Sequence, residues 1–310
     1  MRRFRRTLGR RVLSALKLIP DTFVGLLAII ALRTLRWFDA DRTARFTGRM
    51  MRAVGPWRSE HRIGRNNLKA AFPEKTDAEI EAILRNVWEN LGTFGGEFAH
   101  LDRIWNYNTE RPADGRIELD QPTIDRFVRL RDDGRGALVF AAHLGNWELP
   151  ALAAPAYDLK SAVVFRPPNL AAMARAIERI RAVNMGIIVP TEADAPLRLA
   201  RLLQEGTHVG MLIDQYRGNG VDVTFFGRTT KCNPLLARLA AHVDCPIHGV
   251  RVIRLPNHRF RLELSDEIPP ARTATGKIDV QGTMQTVTTV LEGWIREYPD
   301  QWLWLHRRWR

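Results

Sequence analysis

Cysteine is scarce in this chain. Two of the 310 residues are cysteines, Cys232 and Cys245. Their spacing matches neither a zinc motif nor a redox motif, and one such pair is too few for a disulfide framework. Isolated cysteines usually serve as small buried hydrophobic residues. The sequence therefore predicts two reduced thiols in a cytoplasmic protein.

The sequence also lacks the motifs of several common enzyme classes. No G-x-S-x-G elbow is present, which argues against an acyl-enzyme of the serine-hydrolase type. Neither a G-x-G-x-x-G fingerprint nor a P-loop occurs, so nucleotide binding is not supported. No His/Cys cluster indicates a metal site. We expect neither a metal ion nor another cofactor.

Acidic residues are few relative to basic ones. Lys and Arg total 47 against 34 Asp and Glu, a formal net charge of +13. Such an excess implies an anionic partner: nucleic acid, an anionic membrane surface, or a phosphorylated or acidic substrate. The helix-turn-helix, zinc and RNP signatures of nucleic-acid-binding proteins are missing, so we expect no nucleic-acid partner.

Long hydrophobic runs are absent as well. The apolar stretch at residues 22–32 has 11 residues, so as a helix it would span roughly 16 Å of a hydrocarbon core about 30 Å thick. A strongly basic segment precedes it, and no small-residue cleavage site follows. We interpret residues 1–38 as an uncleaved basic membrane anchor, tilted across the bilayer or lying in its cytoplasmic face. An amphipathic helix packed on the domain is the alternative.

Residues 39–310 are predicted to form one domain. Residues 39–100 have a helical pattern, in which Thr76 and Glu79 form a capping box before apolar residues spaced three and four apart. From about residue 117, short apolar β-type runs alternate with helical stretches. The predicted strands are 137–143, 161–165, 186–190, 208–214, 247–255 and 259–265, and a final helix covers 280–296.

This alternation predicts an α/β fold with a mainly parallel central sheet flanked by helices, preceded by a helical N-terminal region and the membrane-anchoring segment. In such sheets, ligands and chemistry collect beyond the carboxyl ends of the strands. Polar residues at those strand ends are therefore the candidates for a functional site.

His143 is the first candidate, at the end of the first predicted strand. Glu148 follows five residues later, Gly145 permits an unusual backbone angle, and Asn146 is a predicted helix N-cap. A histidine can take the proton of a hydroxyl nucleophile near neutral pH. A carboxylate bonded to its other ring nitrogen would fix the tautomer, and the N-terminus of the next helix could stabilise an oxyanion.

Other strand ends carry further candidates. Arg166 follows the second strand and could bind phosphate or carboxylate bidentately. Asp214 ends the fourth strand and opens a glycine-containing loop with Arg217, in which Phe225 and Phe226 are expected to be core residues. The tryptophans of the C-terminal QWLWLHRRWR are compatible with a tail packed on the domain or with an interfacial segment.

Five segments, taken in order, resemble the lipid A late acyltransferases, the lauroyl/myristoyl group of the lysophospholipid acyltransferase-like superfamily. They are NLKAAFPEKTDAE (67–79), HLGNWEL (143–149), FRP (165–167), DQYRGNGVDVTFFG (214–227) and QWLWLHRRWR (301–310). The F-P-E-G motif of the glycerol-phosphate branch is absent, which argues against a glycerophospholipid acceptor.

The resemblance implies an acyltransferase of the cell inner membrane, with its catalytic domain on the cytoplasmic face. Its donor would be an acyl group on acyl carrier protein, and its acceptor a hydroxyl of a phosphorylated glucosamine-disaccharide lipid, a lipid A precursor. His143 would be the general base and Glu148 its partner. The candidate substrate-binding residues are Arg166, Asp214, Asn146, Gly145 and Arg217, and no metal is expected.

Two alternatives stay open at the level of sequence. The same chemistry could act on another glycolipid or on an aminolipid. A non-catalytic membrane lipid-binding protein of the same fold is the second, and the presence of both His143 and Glu148 speaks against it.

Overall fold

The computed structural model describes residues 25–27, 29–108, 114–167 and 171–310. Most of the predicted anchor, including residues 1–24 and the first part of the apolar run, lies outside the described residues. Within the described ranges, no helix is both long enough and apolar enough to span a bilayer.

The N-terminal region consists of helices, as predicted. Helix α3 starts with the predicted capping box: the Glu79 N–H donates to Thr76 Oγ1 (3.3 Å), and the Thr76 N–H donates to the Glu79 carboxylate (2.8 Å). The bounds in this region are α1 Ala40–Val54, α2 Ser59–Ala71, α3 Asp77–Phe98 and α4 Leu101–Ile104.

A seven-stranded sheet follows, in the order β1-β9-β8-β2-β5-β3-β4. Among the described residues, β8 and β9 form the antiparallel pairing of this sheet, and its other pairings are parallel. The predicted α/β fold with a mainly parallel sheet is therefore confirmed. The strands are β1 Ile117–Glu118, β2 Leu138–Ala141, β3 Ser161–Phe165, β4 Ile187–Pro190, β5 His208–Leu212, β6 Tyr216–Phe225, β7 Arg228–Cys232, β8 Ile247–Leu255 and β9 Arg259–Leu264.

Helices cover both faces of this sheet, and a hydrophobic core lies on each face. On one face Phe140 stacks on Trp294 of the last helix, with ring centroids 5.5 Å apart. On the other, Val252 and Leu262 belong to a second core with Phe127. The helices are α5 Gln121–Asp132, α6 Leu149–Ala156, α7 Ala171–Asn184, α8 Ala195–Gln204, α9 Leu235–Val243 and α10 Val280–Glu297.

The segment after Asp214 differs from the predicted loop, because β6 and β7 form a separate antiparallel hairpin. Phe226 and Gly227 make its turn with φ of 51° and 68°. Positive φ at both central residues is what a two-residue hairpin turn needs to match the twist of its strands. The sequence pattern did not indicate this turn, because Phe rarely occupies such a position. Phe225 and Phe226 are core residues, as expected.

Candidate active site

Sheet register brings His143 and Asp214 together. Strands β2 and β5 are parallel neighbours, with Ala141 opposite Leu212 at their carboxyl ends. His143 and Asp214 each lie two residues beyond these positions. They are therefore adjacent at the edge of the sheet where ligands bind in α/β folds.

The Asp214 carboxylate holds the imidazole of His143 directly. Asp214 Oδ1 lies 2.8 Å from His143 Nδ1, and Asp214 Oδ2 accepts from the His143 backbone N–H (2.9 Å) and from the indole N–H of Trp302 (2.7 Å). An ionised carboxylate can only accept hydrogen bonds, so Nδ1 of the neutral imidazole carries the proton. Nε2 is then the basic nitrogen, and the amide nitrogen of Gln215 lies 3.5 Å from it.

Burial and charge act in opposite directions on this pair. Burial by itself would lower the pKa of His143, but the Asp214 charge and hydrogen bond outweigh it, so the pKa of His143 lies above its ordinary 6.5. Burial would likewise raise the pKa of Asp214, yet attraction to His143 and hydrogen bonds from it hold that pKa well below 3.8. Asp214 is accordingly a fixed negative charge beside an imidazole whose pKa it raises.

Glu148 does not make the contact predicted from its spacing. Its carboxylate is buried, with 3% of the residue exposed, and it forms a two-bonded ion pair with the guanidinium of Arg181 from α7. The prediction that Glu148 bonds the second ring nitrogen of His143 is therefore wrong, because Asp214 occupies that place. Glu148 acts on His143 through its charge, which helps to raise the pKa of the imidazole.

The loop after His143 also differs from its predicted geometry. Helix α6 begins at Leu149, so Asn146 is not its N-cap. Asn146 is fully buried and instead donates to Glu97 Oε2 (2.9 Å) while accepting from the Glu148 N–H (3.2 Å). Glu97 in turn pairs with Arg254 of β8. This buried network joins the loop to α3 and to the sheet.

Helix α6 offers no free N–H groups at its start. The N–H groups of Glu148 and Leu149 donate to Asn146, that of Ala151 donates to the Glu148 carbonyl, and Pro150 has none. The predicted oxyanion site at this helix N-terminus is therefore wrong, because each of these donors is already engaged or missing.

Gly145 is needed for steric reasons. Its φ is +58°, and a Cβ there would collide with the carbonyl oxygen of Val252. Its own N–H donates to the carbonyl of Gln301 (3.0 Å). Gly145 thus lets the His143 loop pack tightly between β8 and the C-terminal segment, and its contact with substrate stays a prediction.

His143 opens onto a cavity of about 960 Å³. Most of its wall is apolar, with contributions from β2, β3 and β5 and from helices on either side, including Phe127, Leu130, Leu235 and Leu239. Arginines also reach this wall, among them the predicted Arg166 and Arg217. A cavity of this size is in the range of sites for large organic ligands, and a mainly apolar wall suits a hydrocarbon chain.

A family model described as bacterial lipid A biosynthesis acyltransferase matches residues 13–310. The chain belongs to this family. It is an acyltransferase with a role in lipid A biosynthesis, which confirms the resemblance found in the sequence. No curated protein matched the chain.

In an acyltransferase, a base at the wall of an apolar cavity has an evident use. A cavity of this kind could hold a hydrocarbon chain, and an imidazole with a free Nε2 is a group that could take a proton from a hydroxyl. Arg166 and Arg217 are exposed, and Arg217 bonds to Asn219 Oδ1 at 2.9 Å. In the chain as described, no three or more His, Cys, Asp and Glu side chains come together as a possible metal site.

Sequence reasoning missed Trp302 and Arg181 as parts of the site. Trp302 is 0% exposed and bonds to Asp214, so the C-terminal segment packs on the domain. Arg181 also covers the Phe165 ring, with its guanidinium carbon 4.8 Å from the ring centroid. The C-terminal segment QWLWLHRRWR, one of the five segments that carry the family resemblance, was an available signal for Trp302. Arg181 is one of many helical arginines and carried no such signal.

Proposed function

We propose that the chain transfers a fatty acyl group from acyl carrier protein to a hydroxyl of a lipid A precursor, with His143 as general base held by Asp214. The observation that carries this proposal is the His143–Asp214 pair, in which a buried carboxylate holds an imidazole that faces a large and mainly apolar cavity. Membership of the lipid A acyltransferase family supports the acceptor class.

The reaction follows from the protonation states of this pair. Nε2 of neutral His143 takes the proton of the lipid hydroxyl as its oxygen attacks the thioester carbonyl carbon. The imidazolium that forms is stabilised by Asp214, whose carboxylate stays ionised. When the carbon–sulfur bond breaks, His143 returns the proton to the leaving thiolate. The products are the acylated lipid and the free thiol of the carrier.

Exposed cations beside the cavity suit anionic substrates. Arg166, Arg217 and Arg238 are exposed, contribute to its wall, and have no carboxylate partner in the described ranges. Guanidinium groups bind phosphate bidentately. We assign them to the phosphates of the glycolipid acceptor and to the acidic surface of the carrier protein.

We further propose that the enzyme acts at the cytoplasmic face of the cell inner membrane, attached by residues 1–38 and by α1. On α1, Phe46, Met50 and Val54 recur every four residues and are 65%, 44% and 36% exposed. Exposed Arg45 and Arg49 lie beside this apolar stripe on the same helix. An exposed apolar stripe bordered by arginines is typical of a helix that lies in an anionic membrane surface.

Acyl transfer is tested by incubating the purified full-length protein with acyl carrier protein that carries a labelled fatty acid, together with a tetra-acylated lipid A precursor. Mass spectrometry of the lipid should show one added acyl chain, and omission of the acceptor should abolish it. Acylation of another glycolipid or an aminolipid, with no acylation of this precursor, would overturn the proposed identity of the acceptor. Failure with every acceptor would overturn acyl transfer by this site.

Membrane attachment is tested by flotation with vesicles of anionic or of zwitterionic phospholipid. Phe46→Ser should reduce binding to both kinds of vesicle, because it removes apolar surface that would enter the lipid. Arg49→Gln should reduce binding to anionic vesicles only. Val183→Ser is the matched control, since Val183 is an apolar residue 83% exposed on a different helix, α7. Equal binding by all three variants and wild type would contradict the assignment of α1.

A further inference from the structure

The C-terminal segment is hydrogen-bonded along the catalytic loop. The Gly145 N–H donates to the Gln301 carbonyl (3.0 Å), and the Leu303 N–H donates to the His143 carbonyl (3.0 Å). Leu144 and Trp302 face each other between these bonds as an antiparallel bridge. The main chain of residues 301–303 is therefore fixed against the residue proposed to be the base.

Two buried tryptophans of this segment have different hydrogen-bond acceptors. Trp302 and Trp304 are both 0% exposed. The indole N–H of Trp302 donates to Asp214 Oδ2 at 2.7 Å, whereas that of Trp304 donates to the Pro299 carbonyl at 2.6 Å. Neither residue contributes to the cavity wall. The two residues are thus both buried tryptophans of the same segment. They differ in that Trp302 donates a hydrogen bond to the His143–Asp214 pair and Trp304 does not.

A buried cation of the same segment lies near the Asp214 carboxylate. Arg308 is 1% exposed, donates to Thr230 Oγ1 (3.2 Å) and to the Lys231 carbonyl (3.0 Å), and has no ion-pair partner in the described chain. Burial lowers its pKa, while attraction to Asp214 opposes that change. The segment therefore presents both a hydrogen-bond donor and a positive charge to the carboxylate.

We propose that Trp302 is a positioning residue of the enzyme: its indole N–H fixes the Asp214 carboxylate, and through it the imidazole of His143. This inference rests on the proposed function of the His143–Asp214 pair. Asp214 Oδ2 would otherwise accept from the His143 backbone N–H alone, and the carboxylate could rotate away from the imidazole. Trp302, and not Trp304, accordingly couples the C-terminal segment to the catalytic pair.

Loss of this donor has a defined electrostatic consequence. A carboxylate with one hydrogen bond fewer is more basic and attracts the imidazolium proton more strongly. The pKa of His143 should therefore rise further above its ordinary value. Glu148, Arg181, His306 and Arg308 also act on the pair through their charges, and a substitution at 302 removes none of these groups, although the ring of His306 contacts that of Trp302.

The test compares Trp302→Phe with the matched control Trp304→Phe in the full-length protein. A hydrogen bond to a charged group contributes enough that its loss should lower kcat about 10- to 100-fold. KM for both substrates should change little, because Trp302 lies outside the cavity wall. The acidic limb of the pH–rate profile should move to higher pH. Trp304→Phe should keep the wild-type kcat and pH profile.

Histidine NMR gives a readout that does not depend on activity. The His143 signal is assigned by its absence in His143→Ala and titrated in wild type and both Phe variants. Only Trp302→Phe should raise the pKa of His143. If it does while wild type acylates no lipid, the positioning role stands and the proposed function fails. An unchanged titration and kcat in Trp302→Phe, or equal effects in Trp304→Phe, would overturn the proposal.

If Trp302→Phe does not fold, a second variant keeps the question open to experiment. Benzothienylalanine at 302 replaces the indole N–H by sulfur and keeps the size of the ring system. It should reproduce the loss of kcat and the raised pKa of His143. Wild-type behaviour in this variant would exclude a role for the N–H.

Discussion

Replacement of Asp214 by Asn is predicted to reverse the tautomer of His143. Asp214 Oδ2 accepts from two donors, the His143 backbone N–H and the Trp302 indole N–H. In the Asn variant, the amide oxygen must take that position, because an NH₂ group there would face two other N–H groups. The NH₂ group is then directed at Nδ1, which can only accept. The proton moves to Nε2, and His143 loses its function as a base.

The magnitude of the loss follows from this geometry. A histidine held in the wrong tautomer by such a substitution loses roughly 10⁴-fold in kcat. We expect Asp214→Asn to reduce kcat for acyl transfer by about this factor, with KM changed far less. Asp222→Asn is the matched control, since its carboxylate is exposed on β6 and pairs with Lys231. A folded Asp214→Asn enzyme within about tenfold of wild type would refute the tautomer argument.

Three further predictions concern the same region. For wild type, kcat/KM should fall as the pH is lowered, with a midpoint above 6.5, because the pKa of His143 is raised and only its neutral form is a base; a pH–rate profile with a lower midpoint would contradict this. Gly145→Ala should destabilise the fold by about 2–4 kcal/mol in denaturant unfolding, through its positive φ and the collision with Val252. Glu148→Gln should destabilise it by about 2–3 kcal/mol, because it leaves Arg181 without its charge partner; an unchanged unfolding midpoint would show that this ion pair contributes nothing.

The sheet and the position of His143 were predictable because they depend on local patterns. Short apolar runs separated by helical stretches give the parallel sheet, and His143 follows one such run directly. The capping box at Thr76 is a four-residue signal and was found for the same reason. Each of these features is encoded in neighbouring residues.

The partner of His143 was not predictable from spacing. Glu148 is near His143 in sequence, but its carboxylate pairs with Arg181, which lies on α7, 33 residues further along the chain. Asp214 is 71 residues away from His143, and the pairing register of β2 with β5 brings it close. That register depends on the whole sheet. The contact of Trp302 with Asp214 likewise depends on how the C-terminal segment packs.

The acyl-transfer turnover of His143→Ala, with the fold checked by thermal unfolding, decides whether His143 is the general base. His258→Asn is the matched control, because His258 lies in the turn between β8 and β9 with φ of 56°, which Asn tolerates. We predict a loss of at least about 10²-fold in His143→Ala and wild-type turnover in His258→Asn. Near-normal acyl transfer by a folded His143→Ala protein would contradict it.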